Sequence, residues 1–430
     1  MRQTSKWHLA LAVLFACSAF LRFETLSNRP LWYDESYNHV LAQLPTIHDL
    51  IERSTTDWEG DTPPLQAILG RLHFRMSHWE YAVRLPSVEA GILTPLMLAL
   101  LGALLFDRRT GILAGFLTAF SVYHIEYSQD ARQYALLMFL LILMFYSIIA
   151  FYRTGLWRYL PLFCLSAAAS LYTHHFAALF LLCCLVSLAG MVVHRYVTIR
   201  QGNAPTGSVT GTLVFFACSV LVIGILYVPY LPVFFNYVMS QKEGSLHVLN
   251  MSWRTVSEIV GRWGNGTRWS VFYLALLGLG ILRLIRLRNI SIVILPWFLI
   301  PFFVFSLMSF TKFFDVRFLS GTLPPFFLLL ALGIVECSEI VARSMVKLYG
   351  SLSDRRSELS SAAMGVIVIS MIVLSLHTYS TFRKTTTRCS SFPWNISVME
   401  EHNGFCEKHL ILNSLFEPHR FLVRDVTKRE

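Results

Sequence analysis

Charge is scarce in this sequence. Only 14 % of its 430 residues are charged, whereas ordinary soluble domains carry roughly 25 %. A chain of this size then has too little polar surface to face water all round. That excludes a soluble enzyme and also a disordered chain, which needs high charge and few apolar residues. Cysteine is sparse as well. Six of the eight (Cys17, Cys164, Cys183, Cys184, Cys218, Cys337) lie inside apolar runs, where they read as small core residues. A secreted disulfide scaffold is therefore excluded. No Gly/Ser- or Pro-rich linker and no internal repeat divides the chain. No Lys/Arg run is long enough for a nucleic-acid tail, so the net charge of +10 does not imply a nucleic-acid partner.

What the chain has instead is long apolar stretches. Hydrophobic residues make up 55 % and the mean hydropathy is +0.54. Runs at Leu9–Phe23, Tyr81–Phe106, Ile112–Ile125, Ala131–Tyr152, Tyr159–Tyr172, Phe176–Val193, Thr212–Val233, Val271–Leu282, Ile290–Phe310, Phe318–Cys337 and Met364–Tyr379 predict about eleven spans, the shorter ones helped by flanking residues. The first run reads as a span rather than a cleaved signal peptide. Basic residues fall in alternate connections: Arg2/Lys6, Arg108/Arg109, Arg153/Arg158, Arg195/Arg200, Arg283/Arg286/Arg288 and Arg343/Lys347/Arg355/Arg356. By the positive-inside rule these connections are cytoplasmic. The expectation is an all-α integral membrane protein. Residues 1–380 form one polytopic domain, the N-terminus is cytoplasmic, and the loops 24–80 and 236–268 lie outside. Residues 381–430 are a short extracytoplasmic tail, in which Cys389 and Cys406 either pair or stay separate thiols. Asn250, Asn265 and Asn395 begin glycosylation sequons on the outer side, and Asn289 begins one inside.

The chemistry-bearing residues gather at the outer ends of spans. Asp34-Glu35 follows the first span inside an aromatic frame of Trp32, Tyr33 and Tyr37. Carboxylates beside a membrane are costly and need a reason. They are either a general base for a hydroxyl proton or an interfacial charge pair facing water. Pro63-Pro64 then starts a segment, Leu65–His78, whose apolar residues Leu65, Ile68, Leu69, Leu72 and Met76 have helical spacing, with Arg71, His73 and Arg75 between. It reads as an amphipathic helix on the outer membrane surface. The short turn 124–134 carries Glu126, Asp130, Arg132 and Tyr134. Arg132 suits a phosphate through its planar fork of donors, or an internal salt bridge. Arg317, at the mouth of a late span, is a second phosphate candidate. The adjacent His174 and His175 make a poor metal pair, since metal sites on helices use spacings such as i, i+4. An interfacial or substrate-contacting role fits them better.

Taken in order, Asp34-Glu35, Thr62-Pro63-Pro64-Leu65, Arg84-Leu-Pro86-Ser, the segment Tyr127 to Tyr134, Tyr172-Thr-His174 and Arg317-Phe-Leu resemble the GT-C membrane glycosyltransferases. The closest group is the bacterial relatives of protein O-mannosyltransferases and lipid A aminoarabinose transferases. The resemblance implies a GT-C fold, with amphipathic helices in the first outer loop. It also implies sugar transfer from a polyprenyl-phosphate donor to a hydroxyl of a glycan, lipid or protein, on the outer face of the cell inner (plasma) membrane. It makes Asp34 the general base and Glu35 its neighbour, which orients the acceptor or tunes the base. Arg132, with Arg317, meets the phosphate. Tyr33, Arg71, Arg84, Asp130, Tyr134, His174 and His175 are further substrate-site candidates. Asp130 stands where the family usually has glutamate, and Gln133 where it usually has proline. Carboxylates suit Mg²⁺ or Mn²⁺, so Asp34 and Glu35 also admit a divalent cation. The rival reading is a transporter or flippase of lipid-linked sugars. Transporters, however, place their polar groups near the membrane midplane, and these lie at the outer ends.

Overall fold

The computed structural model describes residues 2–28, 30–56, 62–201, 208–241, 252–307, 316–349 and 354–389. Among them all regular structure is helical. The helices are α1 (Arg2–Phe23), α2 (Tyr33–Gln43), α3 (Ile47–Thr56), α4 (Leu65–Ser77), α5 (Leu85–Leu105), α6 (Arg108–Ala119), α7 (Val122–Ser128), α8 (Tyr134–Thr154), α9 (Tyr159–Leu171), α10 (Ala177–Arg200), α11 (Val209–Tyr227), α12 (Leu231–Gln241), α13 (Trp253–Trp263), α14 (Ser270–Arg286), α15 (Arg288–Leu307), α16 (Leu323–Leu348) and α17 (Arg356–Cys389).

Nine of the predicted runs form helices long and apolar enough to cross a membrane. The other two are shorter. The run 159–172 gives the 13-residue α9. The run 112–125 breaks in two, because the Ser121 hydroxyl caps a new helix by accepting from the His124 N–H (3.3 Å). The chain is a multi-pass membrane protein. Its last helix runs on to Cys389, past the expected domain boundary at 380. Cys406 and the sequon residues Asn250 and Asn395 lie outside the described residues, as do the side chains of Cys389 and Asn289. Asn265 is described, and its sequon is closed to modification in the fold. It is buried. Its amide donates to the Ser375 hydroxyl (2.6 Å) and its Oδ1 accepts from the Val122 N–H (2.8 Å), so α7 and α17 hold it.

The core centres on α16, 94 % of whose most apolar window is buried. Such a helix is apolar all round because protein, not lipid, surrounds it. It approaches α14 closely through glycines: a Cβ on Gly333 would lie 1.9 Å from the Leu276 carbonyl oxygen, and one on Gly280 would lie 2.0 Å from that of Leu329. Outward residues of α11 and α17 such as Leu221, Ile225, Val366 and Ile369 stay exposed, as lipid-facing residues do.

One end of the bundle is rich in arginine. Arg283 pairs with Glu336 (2.5 Å) and Glu339 (3.0 Å), and Arg343 with Glu336 (3.1 Å). At the opposite end, Glu24 after α1 meets Arg383 (2.6 Å) and the Tyr379 hydroxyl (3.1 Å) of α17. The connection carrying α2 to α4 caps this second end.

Candidate active site

Helix α2 starts at the Asp34-Glu35 pair, and the two carboxylates separate in role at once. Glu35 is three residues into the helix and turns inward. Its Oε2 accepts from the Trp32 N–H (3.3 Å), which satisfies a free donor at the helix start. Arg84 meets both of its oxygens, Nε to Oε1 at 2.8 Å and Nη2 to Oε2 at 2.7 Å. Oε1 also accepts from the Ala131 N–H (2.8 Å). Both side chains of this pair have no exposed surface. Arg84 further donates to the Leu26 and Pro30 carbonyls. With no exposed surface on either side chain, the expected contact of Glu35 with an acceptor, and of Arg84 with a donor, gives way to a buried anchor beside Asp34, which leaves Glu35 the tuning of that neighbour.

Asp34 turns the other way and keeps 24 % of its side-chain surface, against 16 % for Arg132, whose Nη2 lies 3.3 Å from Asp34 Oδ2. The two residues are far apart in sequence and meet because the segment before α8 is fastened at successive peptide groups. Besides the Ala131 N–H, the Ala131 carbonyl accepts from Asn38 Nδ2 (2.8 Å), and the Arg132 carbonyl accepts from the Ser87 hydroxyl (2.9 Å). Ser87 is held in turn by Gln66 of α4 (3.0 Å). Arg132 Nε is buried and makes no hydrogen bond among the described residues.

Tyr134 continues the site. Its ring lies between Tyr127 (5.2 Å) and His174 (5.5 Å). Leu65 N–H donates to the Tyr172 carbonyl (3.0 Å) and ties the 172–176 connection to α4. Burial, then His175, Arg132 and Arg317, push the His174 pKa well below its ordinary value, so the imidazole is neutral. Arg317, in the 3-10 turn Val316–Thr322, lies over the Phe318 ring (5.6 Å), and Phe318 meets Phe176 (5.2 Å). Tyr134 and Phe176 thus connect His174 to the segments that carry the two phosphate candidates.

The remaining candidates divide. Asp130 is fully buried. His175 faces Tyr230 (6.2 Å) and Phe234 (5.9 Å), away from its neighbour's partners. Arg71 is a correction: it donates to the carbonyls of Ala42, Leu44 and Pro45, stapling α4 to the end of α2. The side chain of Tyr33 lies outside the described residues. Helix α4 does have the predicted bounds within a residue. It packs on protein through Ala67 and Gly70, while Leu72 and Met76 stay exposed, a face suited to the membrane surface.

A divalent cation does not fit the Asp34-Glu35 pair as it stands. Arg84 and two backbone N–H groups already occupy Glu35, and Asp34 sits against a guanidinium. Among the described residues no three His, Cys, Asp or Glu side chains come together as metal ligands.

The sequence reading missed the layer under the site. Arg22, at the end of α1, donates to His124 Nδ1 (2.6 Å) and to the Ser18 and Ala119 carbonyls (3.1 and 3.2 Å). Gln129 Nε2 donates to the Leu21 and Arg22 carbonyls, both at 3.2 Å. An arginine ending an apolar run was the available signal.

Residues 61–223 match the family model described as dolichyl-phosphate-mannose-protein mannosyltransferase. The match includes Arg84, Arg132 and His174 but not Asp34. No curated protein sequence matches significantly. Among solved structures, ArnT from Cupriavidus metallidurans in the apo state is 13 % identical with a TM-score of 0.53, covering 90 % of this chain and 77 % of that one. The same protein bound to undecaprenyl phosphate gives 13 %, 0.56, 88 % and 76 %. The chain has the GT-C fold of the membrane glycosyltransferases. A second solved structure of similar fold is the oligosaccharyltransferase AglB from Archaeoglobus fulgidus, in complex with an inhibitory peptide and a dolichol-phosphate. It is 13 % identical with a TM-score of 0.53, covering 92 % of this chain but 59 % of its own. Against the GT-C pattern, glutamine at 133 costs the turn nothing: its φ of −69° is the value proline would impose.

Proposed function

We propose that this chain transfers a sugar from a polyprenyl-phosphate donor to an acceptor hydroxyl. The transfer takes place at the outer face of the plasma membrane, with the N-terminus cytoplasmic. One observation carries the reading: a partly exposed carboxylate and a partly exposed guanidinium meet at 3.3 Å on a buried, hydrogen-bonded support. A general base and a phosphate-binding group both need to be open to substrate and fixed relative to each other.

In the reaction, Asp34 takes the proton from the acceptor hydroxyl as its oxygen attacks the anomeric carbon. The bond from that carbon to the phosphate oxygen breaks, and its electron pair leaves with the phosphate. Arg132 and Arg317 neutralise the charge that develops there. Attack opposite the leaving group inverts the anomeric centre. Arginine has five donors in a rigid fork, so Arg132 can keep Asp34 in place with one edge and meet phosphate with the other. The donor is already activated, and the bilayer holds its lipid tail, so binding costs little orientation at the site.

The test is transfer from a panel of labelled polyprenyl-phosphate sugars, using purified protein with extracted membranes as acceptor. Transfer from one donor, with inverted configuration in the product, supports the proposal. Absence of transfer from every donor by folded protein refutes it and favours transport of lipid-linked sugars.

A further inference from the structure

We propose that His174 gives the donor phosphate a third contact, a neutral Nε2–H hydrogen bond beside the charged forks of Arg132 and Arg317. The inference rests on the donor reading above and adds the residue and its chemical form.

The ring is held on three sides. It stacks on Phe176 (5.1 Å), meets the Tyr134 ring (5.5 Å), and its Nδ1 accepts from the Phe176 N–H (3.1 Å). Accepting a backbone N–H requires a lone pair on Nδ1. In a neutral imidazole the proton is then on Nε2. That N–H makes no hydrogen bond among the described residues, and Nε2 is not one of the buried polar atoms cut off from solvent, so it is open to a ligand. The neighbours say which kind of ligand. Tyr134, two residues after Arg132, and Phe176, which meets the Phe318 next to Arg317, both touch the ring, so the place is positive without any charge on His174. A carboxylate here would pair with the arginines and compete with a phosphate. A lysine would repel them. A neutral N–H donor does neither, and it adds direction to a site otherwise made of point charge. Burial and the two arginines keep the imidazole neutral, so it remains a fixed donor and not a proton shuttle.

The experiment compares binding of undecaprenyl phosphate with that of uncharged undecaprenol to the full-length protein in detergent. His174→Phe keeps the ring and its stacking but removes the donor. Phosphate binding should weaken about tenfold, as for one hydrogen bond to a charged group, with undecaprenol unchanged. His174→Gln puts an amide N–H near the Nε2 position and should bind within about threefold of wild type. His174→Asn puts its amide near Nδ1 and should resemble the phenylalanine variant. Wild-type affinity in His174→Phe, equal weakening for both lipids, or equal binding by the Gln and Asn variants overturns the inference while the donor reading stands. A wild-type protein that does not distinguish the two lipids overturns both.

Discussion

Replacing Glu35 by glutamine looks conservative and should be severe. Each carboxylate oxygen takes two N–H groups: Arg84 Nε and Ala131 on Oε1, and Arg84 Nη2 and Trp32 on Oε2. An amide has one oxygen. Whichever way it is turned, its NH₂ faces two donors, and Arg84 loses its counter-charge with no exposed surface. Two hydrogen bonds to a charged group are worth about 1.5–3 kcal/mol each, and breaking a buried pair from one side costs about 3–5 kcal/mol. At roughly 2 °C per kcal/mol for a large domain, the unfolding temperature in detergent should fall by roughly 5–10 °C. Sugar transfer should fall with it, because Ala131 is next to Arg132. The double variant Glu35→Leu with Arg84→Met, which removes both charges, should regain part of the stability but not the activity, since the Ala131 N–H stays without its acceptor. Unchanged unfolding and transfer in Glu35→Gln would refute the anchor. Lost transfer with unchanged unfolding would return Glu35 to a direct catalytic role.

Asp34→Asn should lower transfer by about 10²–10⁴-fold, the usual worth of a general base, and leave the unfolding temperature alone; retained activity would sink the assignment. Arg132→Gln should raise the donor KM more than the acceptor KM, which steady-state kinetics with each substrate varied will check. Gly333→Ala pushes a methyl against the Leu276 carbonyl and should cost about 1–3 kcal/mol or more. Gly365→Ala, which meets nothing within 4 Å, should be neutral in the same thermal scan.

The spans were legible because a bilayer demands length and hydropathy, and both are local properties of sequence. So was the meeting of Asp34 and Arg132 at one end of the bundle, since alternate connections between spans share one face. The partners of those charges were not legible. Nothing local says that Glu35 meets Arg84 and not water, or that Arg71 is spent on carbonyl groups of α2. Both follow from how α2 and α4 lie across the end of the bundle. Nor does the sequon at Asn265 by itself tell its fate: a tripeptide reports chemistry, while burial between α7 and α17 decides access. Close approach of α14 and α16 was equally hidden, because a glycine in an apolar run has many readings until the facing helix is known.

The segment bearing Arg132 is fastened through its peptide groups, at the Ala131 N–H, the Ala131 carbonyl and the Arg132 carbonyl. Peptide groups are the same whatever side chain is attached. Ala131 is fully buried, but Arg132 keeps some open surface, and its backbone position is set by Glu35, Asn38 and Ser87 through groups that every residue type shares. A change of side chain at 132 can then alter what this end of the bundle presents without moving the segment. Such an arrangement lets related chains differ in the group they display while retaining the place from which they display it.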